Sequence, residues 1–195
     1  MQLIIGKIVS FLMRNEAIEA EDQDVYEYGL YVILTDVMDI VATTIIAILL
    51  HIVPQTILYH VAFIPLRRTA GGYHASTPMR CFCLSITTWL LAMWLIGMTA
   101  QFTLISVVLA GISCFIVWRF APVEHENNPL TEDEVVSMRK RSRILTASFA
   151  GIVAFSTLIA QIPEWVPSSI AYGMLSLAGS LSFACISKDR KTMAK

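Results

Sequence analysis

Charge is what this sequence has least of. Only 15% of its 195 residues are Asp, Glu, Lys or Arg, 56% are hydrophobic, and the mean hydropathy is +0.65. Together with the length of the apolar runs, that scarcity excludes an ordinary soluble domain and points to an all-α, polytopic membrane protein. Cysteine is also scarce. Four thiols, Cys81, Cys83, Cys114 and Cys185, make no disulfide framework in a chain of this size. Cys114 and Cys185 lie inside apolar runs, where a free thiol packs as a small hydrophobe. The Cys81-x-Cys83 spacing has one nearby His and no second cysteine pair, so neither a metal nor any other cofactor is expected. The first apolar run lacks a small-residue cleavage site and continues into Glu16, Glu19, Glu21, Asp22 and Asp24, so no cleavable signal peptide is expected. There is no internal repeat or low-complexity tract. Residues 1–195 read as a single integral-membrane domain.

Residues 1–14 carry apolar side chains around most of a helix, with Lys7, Ser10 and Arg14 on one polar stripe. Fourteen residues are too few to span a bilayer. Two readings stay open: an amphipathic interfacial helix, or a helix packed on the protein's own core. Residues 15–28 are acidic and expected in water, which makes 1–28 a cytoplasmic or interfacial segment. Apolar runs follow at 29–50, 51–66, 82–99, 101–118, 144–161 and 166–186. The second, short for a span, is expected to continue into Arg67-Arg68, whose long side chains can snorkel.

The net charge of −1 carries no information on partners, but its distribution does. All fourteen Lys and Arg fall within the first 28 residues, 67–80, 119–143 and the tail. The connections around 51–55, 99–103 and 161–168 contain none. By the positive-inside rule this predicts six transmembrane helices, with both termini and both longer loops in the cytoplasm of the cell. The lipid bilayer is then a partner. A nucleic acid is not expected.

Residues 67–83, RRTAGGYHASTPMRCFC, concentrate the reactive side chains at that cytoplasmic face. Thr77-Pro78 reads as a helix start, Thr at the N-cap and Pro at the first helical position. Cys81 then falls in the first turn, among N–H groups without intrahelical partners. The positive end of the dipole, with Arg80 adjacent and Arg67 and Arg68 in the same segment, favours thiolate over thiol. The alternative is an unremarkable thiol at a helix boundary. His74 lies seven residues earlier, about 10 Å away on one continuous helix and too far for a hydrogen bond. Pro78 disfavours helix at Thr77, however, and Gly71-Gly72 permits a turn, so a loop can fold His74 back over the helix start. A base for the thiol and an acid for the leaving amine are what a thiol protease needs. His51, His60 and His125 are weaker candidates. Asp36 and Asp39 share a face of the first span, where carboxylates are expected to face the protein interior, paired. They can orient His74, neutralise Arg67 or Arg68, or hydrogen-bond to other helices. At 1.5 Å per residue Asp36 is about 10 Å deep, nearer the proposed site than Asp39.

Arg67-Arg68, Gly72, His74-Ala75, a six-residue gap and Cys81 resemble the signature of the AgrB family, membrane thiol endopeptidases that process quorum-sensing pro-peptides in Gram-positive bacteria. The resemblance extends to the chain's size and hydrophobic profile, to Ala121-Pro122, and to Met138-Arg139-Lys140-Arg141. It implies Cys81 as nucleophile and His74 as its base, with Arg67 and Gly72 as further motif positions. It assigns no role to Thr69 or Gly71 and supplies no acidic third member, so Asp36 is proposed on the bottom-up reading alone. It also implies an AgrD-like pro-peptide as substrate, cleaved in its C-terminal part through a thioester on Cys81 and cyclised to a thiolactone or lactone. A homodimer is the oligomer considered. The basic face, with Arg67, Arg68, Arg80 and 139–143, suits an acidic substrate tail, while 139–143 equally suits an anchor on anionic lipid. Other classes remain open: a small carrier or channel using Asp36, Asp39 and His60, or a non-catalytic peptide receptor.

Overall fold

The computed structural model describes residues 2–15, 17–19, 22–73, 77–123, 130–159 and 161–193, without the side chains of 2–4, 28, 78 and 188–193. Within them the chain forms α1 (Gln2–Arg14), α2 (Gln23–Leu49), α3 (Val53–Ala70), α4 (Pro78–Thr99), α5 (Thr103–Phe120), α6 (Glu132–Thr157) and α7 (Trp165–Met193). No strand occurs among the described residues; one isolated parallel bridge joins Gly71 to Val123.

The bundle is built around α7, which packs against α3, α4, α5 and α6. Its buried positions include Ser168, Ser169, Ala171, Gly173 and Ala178, small residues that let neighbouring backbones approach closely. At Gly173 a Cβ would stand 2.6 Å from the Tyr59 carbonyl oxygen of α3. Interhelical hydrogen bonds supplement the packing: Ser106 Oγ with Ser168 Oγ at 2.9 Å, and Thr99 Oγ1 with Tyr172 OH at 3.0 Å. Such bonds contribute on average about 0.6 kcal/mol each in a bilayer. Most Ser and Thr hydroxyls inside helices instead donate to the carbonyl one turn back, as Thr43 does to Asp39 and Thr146 to Ser142.

Among the described residues four segments are long and apolar enough to cross a membrane: Gln23–Leu49, Met79–Thr99, Thr103–Phe120 and Trp165–Ser187. α3 and α6 fall short of that standard because charge is built into them, Arg67 and Arg68 closing α3 and Glu132, Asp133, Glu134 and the 139–143 cluster opening α6. Large aliphatic side chains such as Ile45, Leu104 and Ile152 are exposed on the bundle's outside, as a lipid-facing surface requires. α1 packs on α2 and buries Ile5 and Val9 there while Phe11 stays exposed, so one face of the amphipathic helix serves the protein's own packing.

Helix boundaries differ from the apolar runs mainly at the N-terminal ends of α2 and α6. α2 begins at Gln23, inside the acidic segment expected in water. α3 continues through Arg67-Arg68 as expected, to Ala70. The largest difference is α6, which starts at Glu132, twelve residues before the run at 144. Thr131 and Glu134 form a reciprocal capping box: the Glu134 N–H donates to Thr131 Oγ1 at 3.4 Å, and the Thr131 N–H to Glu134 Oε2 at 2.9 Å. The basic cluster 139–143 therefore lies on a helix, and the polar segment 121–143 is only partly a loop.

Candidate active site at the α3–α4 junction

α4 begins as its Thr-Pro dipeptide predicts. Thr77 is extended at the N-cap and its Oγ1 accepts from the Arg80 N–H at 3.4 Å. The Cys81 N–H already donates to the Thr77 carbonyl at 3.1 Å, a backbone bond of the helix, so it is not an orphan. Cys81 is buried, whereas Cys83, two positions on and on the opposite side of the helix, is exposed. The two thiols thus face different environments.

The other wall is made by the end of α3 and the strap that follows it. Arg67 reaches across to α7, Nη1 donating to Ser180 Oγ at 3.2 Å, while its Nη2 donates to the Tyr73 carbonyl at 3.0 Å. Ser180 Oγ also accepts from the Tyr73 N–H at 3.0 Å, so both backbone groups of Tyr73 are tied. Its ring meets Phe183 edge-on with centroids 4.6 Å apart. The Arg67 guanidinium lies 5.7 Å from the Phe63 ring centroid, stacking that suits a weakly hydrated cation.

Glycine is required twice in this strap. Gly71, at φ +78°, ends α3 in a conformation that side chains rarely adopt, and a Cβ there would overlap the Val123 carbonyl. Val123 N–H donates to the Ala70 carbonyl at 2.9 Å, which docks the segment after α5, with its cis Ala121-Pro122 bond, against the end of α3. At Gly72 a Cβ would stand 2.8 Å from Ser180 Oγ and 3.2 Å from Arg67 Nη1, in the middle of the bonds that hold Tyr73.

Cys81, Arg67 and Tyr73 open on one cavity of about 470 Å³ between α2, α3, α4 and α7. Asp36 and Asp39 of α2 also line it, Asp36 within electrostatic range of Arg67 and Arg68, and Asp39 facing the Ser85 hydroxyl of α4. Both carboxylates thus face the protein, as intramembrane charge requires. His60 lines it further in, Nε2 lying 3.0 Å from Thr43 Oγ1.

The structure therefore brings together Cys81, Arg67, Asp36 and Asp39 of the residues singled out from the sequence, and sets Gly72 beside Arg67. It leaves Arg68, Thr77 and Arg80 exposed and outside the cavity lining. Thr77 acts as a cap. Adjacent residues on α3 point about 100° apart, so Arg67 and Arg68 cannot both turn inward. His74 lies outside the described residues. His60, ranked below His74 in the sequence, belongs to the cavity. Ser180, Tyr73, Ser85 and Trp89 were not singled out: Ser180 is one small residue among several on α7, and nothing local distinguishes it before α3 and α7 are brought together. Among the described residues no group of three or more His, Cys, Asp or Glu could hold a metal ion.

The family described as Accessory gene regulator B (AgrB) matches residues 5–187. The chain is 28% identical over 150 residues to accessory gene regulator protein B of Staphylococcus intermedius, covering 75% of each protein. It is 25% identical over 192 residues to an AgrB-like protein of Clostridium perfringens, covering 93% of this chain and 88% of that one. An AgrB-like protein of Listeria innocua is 28% identical over 146 residues, covering 68% of this chain and 67% of that one. No solved structure matches the chain.

Proposed function

The chain belongs to the AgrB family, and on that premise we propose that it is a membrane-embedded cysteine endopeptidase that processes an AgrD-like pro-peptide for accessory gene regulator quorum sensing. The observation that carries this reading is the placement of Cys81. It is a buried thiol in the first turn of a helix, opening on a cavity shared with Arg67 and with Tyr73, the residue that directly precedes His74. The strap leading to His74 is held by both polar groups of the Tyr73 backbone. Family resemblance supplies the roles: Cys81 as nucleophile, His74 as base and then acid.

In the proposed reaction His74 takes the Cys81 proton, and the sulfur attacks the carbonyl carbon of a peptide bond in the C-terminal part of the pro-peptide. The C–N bond breaks, and His74 returns the proton to the departing amine. The acyl part remains as a thioester on Cys81. A Cys of the peptide then attacks that carbonyl, its proton passes to the Cys81 sulfur, and a thiolactone ring closes; a Ser would give a lactone. Exchange of one thioester for another is nearly isoenergetic, whereas forming a thioester from an amide is uphill. The first step therefore needs loss of the cleaved fragment, and the second needs water kept away. Arg67 acts as a positioning residue through Tyr73, with Gly72 leaving room for its bonds. Asp36 balances Arg67 and is our candidate third partner for His74.

Charge distribution supports the accompanying topology: six spans, the termini and the α3–α4 junction in the cytoplasm, with α3 and the apolar half of α6 completing the four long apolar helices. The polar start of α6 then stands in water at the same face, its 139–143 cluster serving the acidic substrate tail or anionic lipid.

Co-expression with a pro-peptide tests the reading. Cleavage is expected to disappear in Cys81→Ala and His74→Ala and to persist in Cys83→Ala, and an adduct on Cys81 labile to hydroxylamine is expected during turnover. Undiminished cleavage by Cys81→Ala ends the proposal and leaves a non-catalytic peptide receptor.

A further inference from the structure

The cavity continues well beyond the residues the reaction uses. On α4 its lining runs from Cys81 through Leu84, Thr88 and Trp89 to Leu95. From Cys81 to Trp89 is eight residues, about 12 Å along the axis, which matches the length of roughly three to four residues of extended peptide. The lining is mostly apolar, with Phe63, Leu91, Ala92 and Leu175 among it, and the volume of about 470 Å³ is that of a ligand pocket.

We infer that this slot is the acyl-side subsite of the enzyme: it receives the apolar residues that precede the scissile bond and keeps water from the thioester they form. The inference rests on the endopeptidase reading and names what that site recognises. One observation selects a peptide as occupant: the slot is continuous with Cys81, so a chain covalently attached there enters it directly. The acyl side is the one assigned because that part stays on the enzyme while the other fragment leaves. Occupation by apolar side chains then displaces water beside the acyl carbonyl, which favours ring closure over hydrolysis.

Acyl exchange on the detergent-solubilised full chain tests this. The donors are peptidyl thioesters of 3-mercaptopropionate with acyl sequences Leu-Phe-Leu or Gly-Ser-Gly. The Cys81 sulfur forms a new C–S bond, the donor's C–S bond breaks, and the released mercaptopropionate takes the Cys81 proton. Adducts are read by peptide-mapping mass spectrometry, and iodoacetamide alkylation of Cys81 is followed in parallel. The Leu-Phe-Leu donor is expected to acylate Cys81 at least tenfold faster than Gly-Ser-Gly. Ala92→Phe, which fills the slot, is expected to erase that preference while alkylation stays within twofold. Leu84→Ser, which removes apolar lining at the exposed rim of the slot, is expected to reduce the preference at least threefold, and it carries the test should Ala92→Phe aggregate. Equal rates for the two donors overturn the subsite while leaving the nucleophile in place. A phospholipid that native mass spectrometry finds in the wild type but not in Ala92→Phe, with no donor preference, makes the slot a lipid site and also overturns it. Failure of either donor to acylate a Cys81 that iodoacetamide still alkylates counts against the endopeptidase reading itself.

Discussion

α2 and α7 are alike in length, yet 17% of α2's most hydrophobic window is buried against 56% of α7's. α7 presents Ser, Ala and Gly, with Met174, Leu177 and Leu181 between them, to four neighbouring helices, whereas α2 presents Ile, Val, Leu and Met to the outside and meets α1, α3 and α4 along limited faces. In lipid an Ile gains nothing by leaving hydrocarbon for protein, so close approach of backbones decides which helix becomes the core. The cavity draws on both kinds of wall: small and polar groups of α7 on one side, and two carboxylates of an otherwise lipid-facing helix on the other.

Breaking that contrast gives the largest expected effect. Gly173→Val forces a branched side chain against the Tyr59 carbonyl, a backbone atom that cannot move aside, and is expected to destabilise the bundle by about 3 kcal/mol. The same detergent melt applied to Gly29→Ala on α2, where a Cβ meets nothing within 4 Å, is expected to show no loss. An equal loss in both variants would mean that α7 is not the packing centre.

The two arginines sharpen the contrast within one helix. Arg67→Lys keeps the charge but cannot hold Ser180 Oγ and the Tyr73 carbonyl with one planar fork, and an ammonium does not stack on Phe63 in the same way. Loss of one charge-assisted bond is expected to remove about 2 kcal/mol of positioning, roughly thirtyfold in kcat/KM for pro-peptide cleavage. Arg68→Lys, on the exposed side of α3, is expected to stay within about twofold in the same assay. Gly72→Ala comes next: its methyl displaces Ser180 or Arg67 by a few tenths of an ångström, with an expected tenfold loss, about 1.4 kcal/mol. Cleavage assays in membrane vesicles with expression matched by blotting would separate these from folding losses, and a Gly72→Ala enzyme at full rate would remove the strap from the site.

These cases also show where the sequence is informative. Thr77-Pro78 fixes the α4 start, and with it the opposite fates of Cys81 and Cys83, because capping and helical periodicity are local. The inward turn of Asp36 and Asp39 was legible for a different reason: a carboxylate in hydrocarbon has few places to go. Arg67 and Arg68 were not separable, since two adjacent cations read identically until α7 supplies Ser180. Trp89 and His60 were illegible as cavity residues, because an apolar run gives no sign of which of its faces meets lipid and which meets a void. The α6 start is written in the sequence too, against the hydropathy. Thr131-Glu132-Asp133-Glu134 is a capping box in plain view, but hydropathy placed the boundary thirteen residues beyond Thr131.

That box supplies the smallest expected effect, at the one helix that joins a solvated half to a packed half. Thr131→Ala removes the acceptor for the Glu134 N–H and is expected to weaken the first turn of α6 by about 1 kcal/mol, read as faster amide exchange there with α7 amides unchanged. The Thr131 N–H and hydroxyl both donate to Glu134, and they hold its carboxyl below the ordinary value of 4.5. A carboxyl depressed in the folded state contributes stability that is complete above its unfolded value and is lost as pH falls through the folded one. The cap is therefore expected to be intact at neutral pH and to weaken only below about pH 4.5, the value for an unperturbed carboxyl. The side-chain carbon shift of Glu134, followed by NMR in micelles, reports that titration directly. In Thr131→Ala the hydroxyl donor is gone and the midpoint is expected to move up toward the ordinary value; a midpoint indifferent to that substitution would show that the hydroxyl does not hold the carboxylate. Glu134→Gln, still able to accept from the Thr131 N–H, is expected to keep most of the exchange protection and lose its pH dependence.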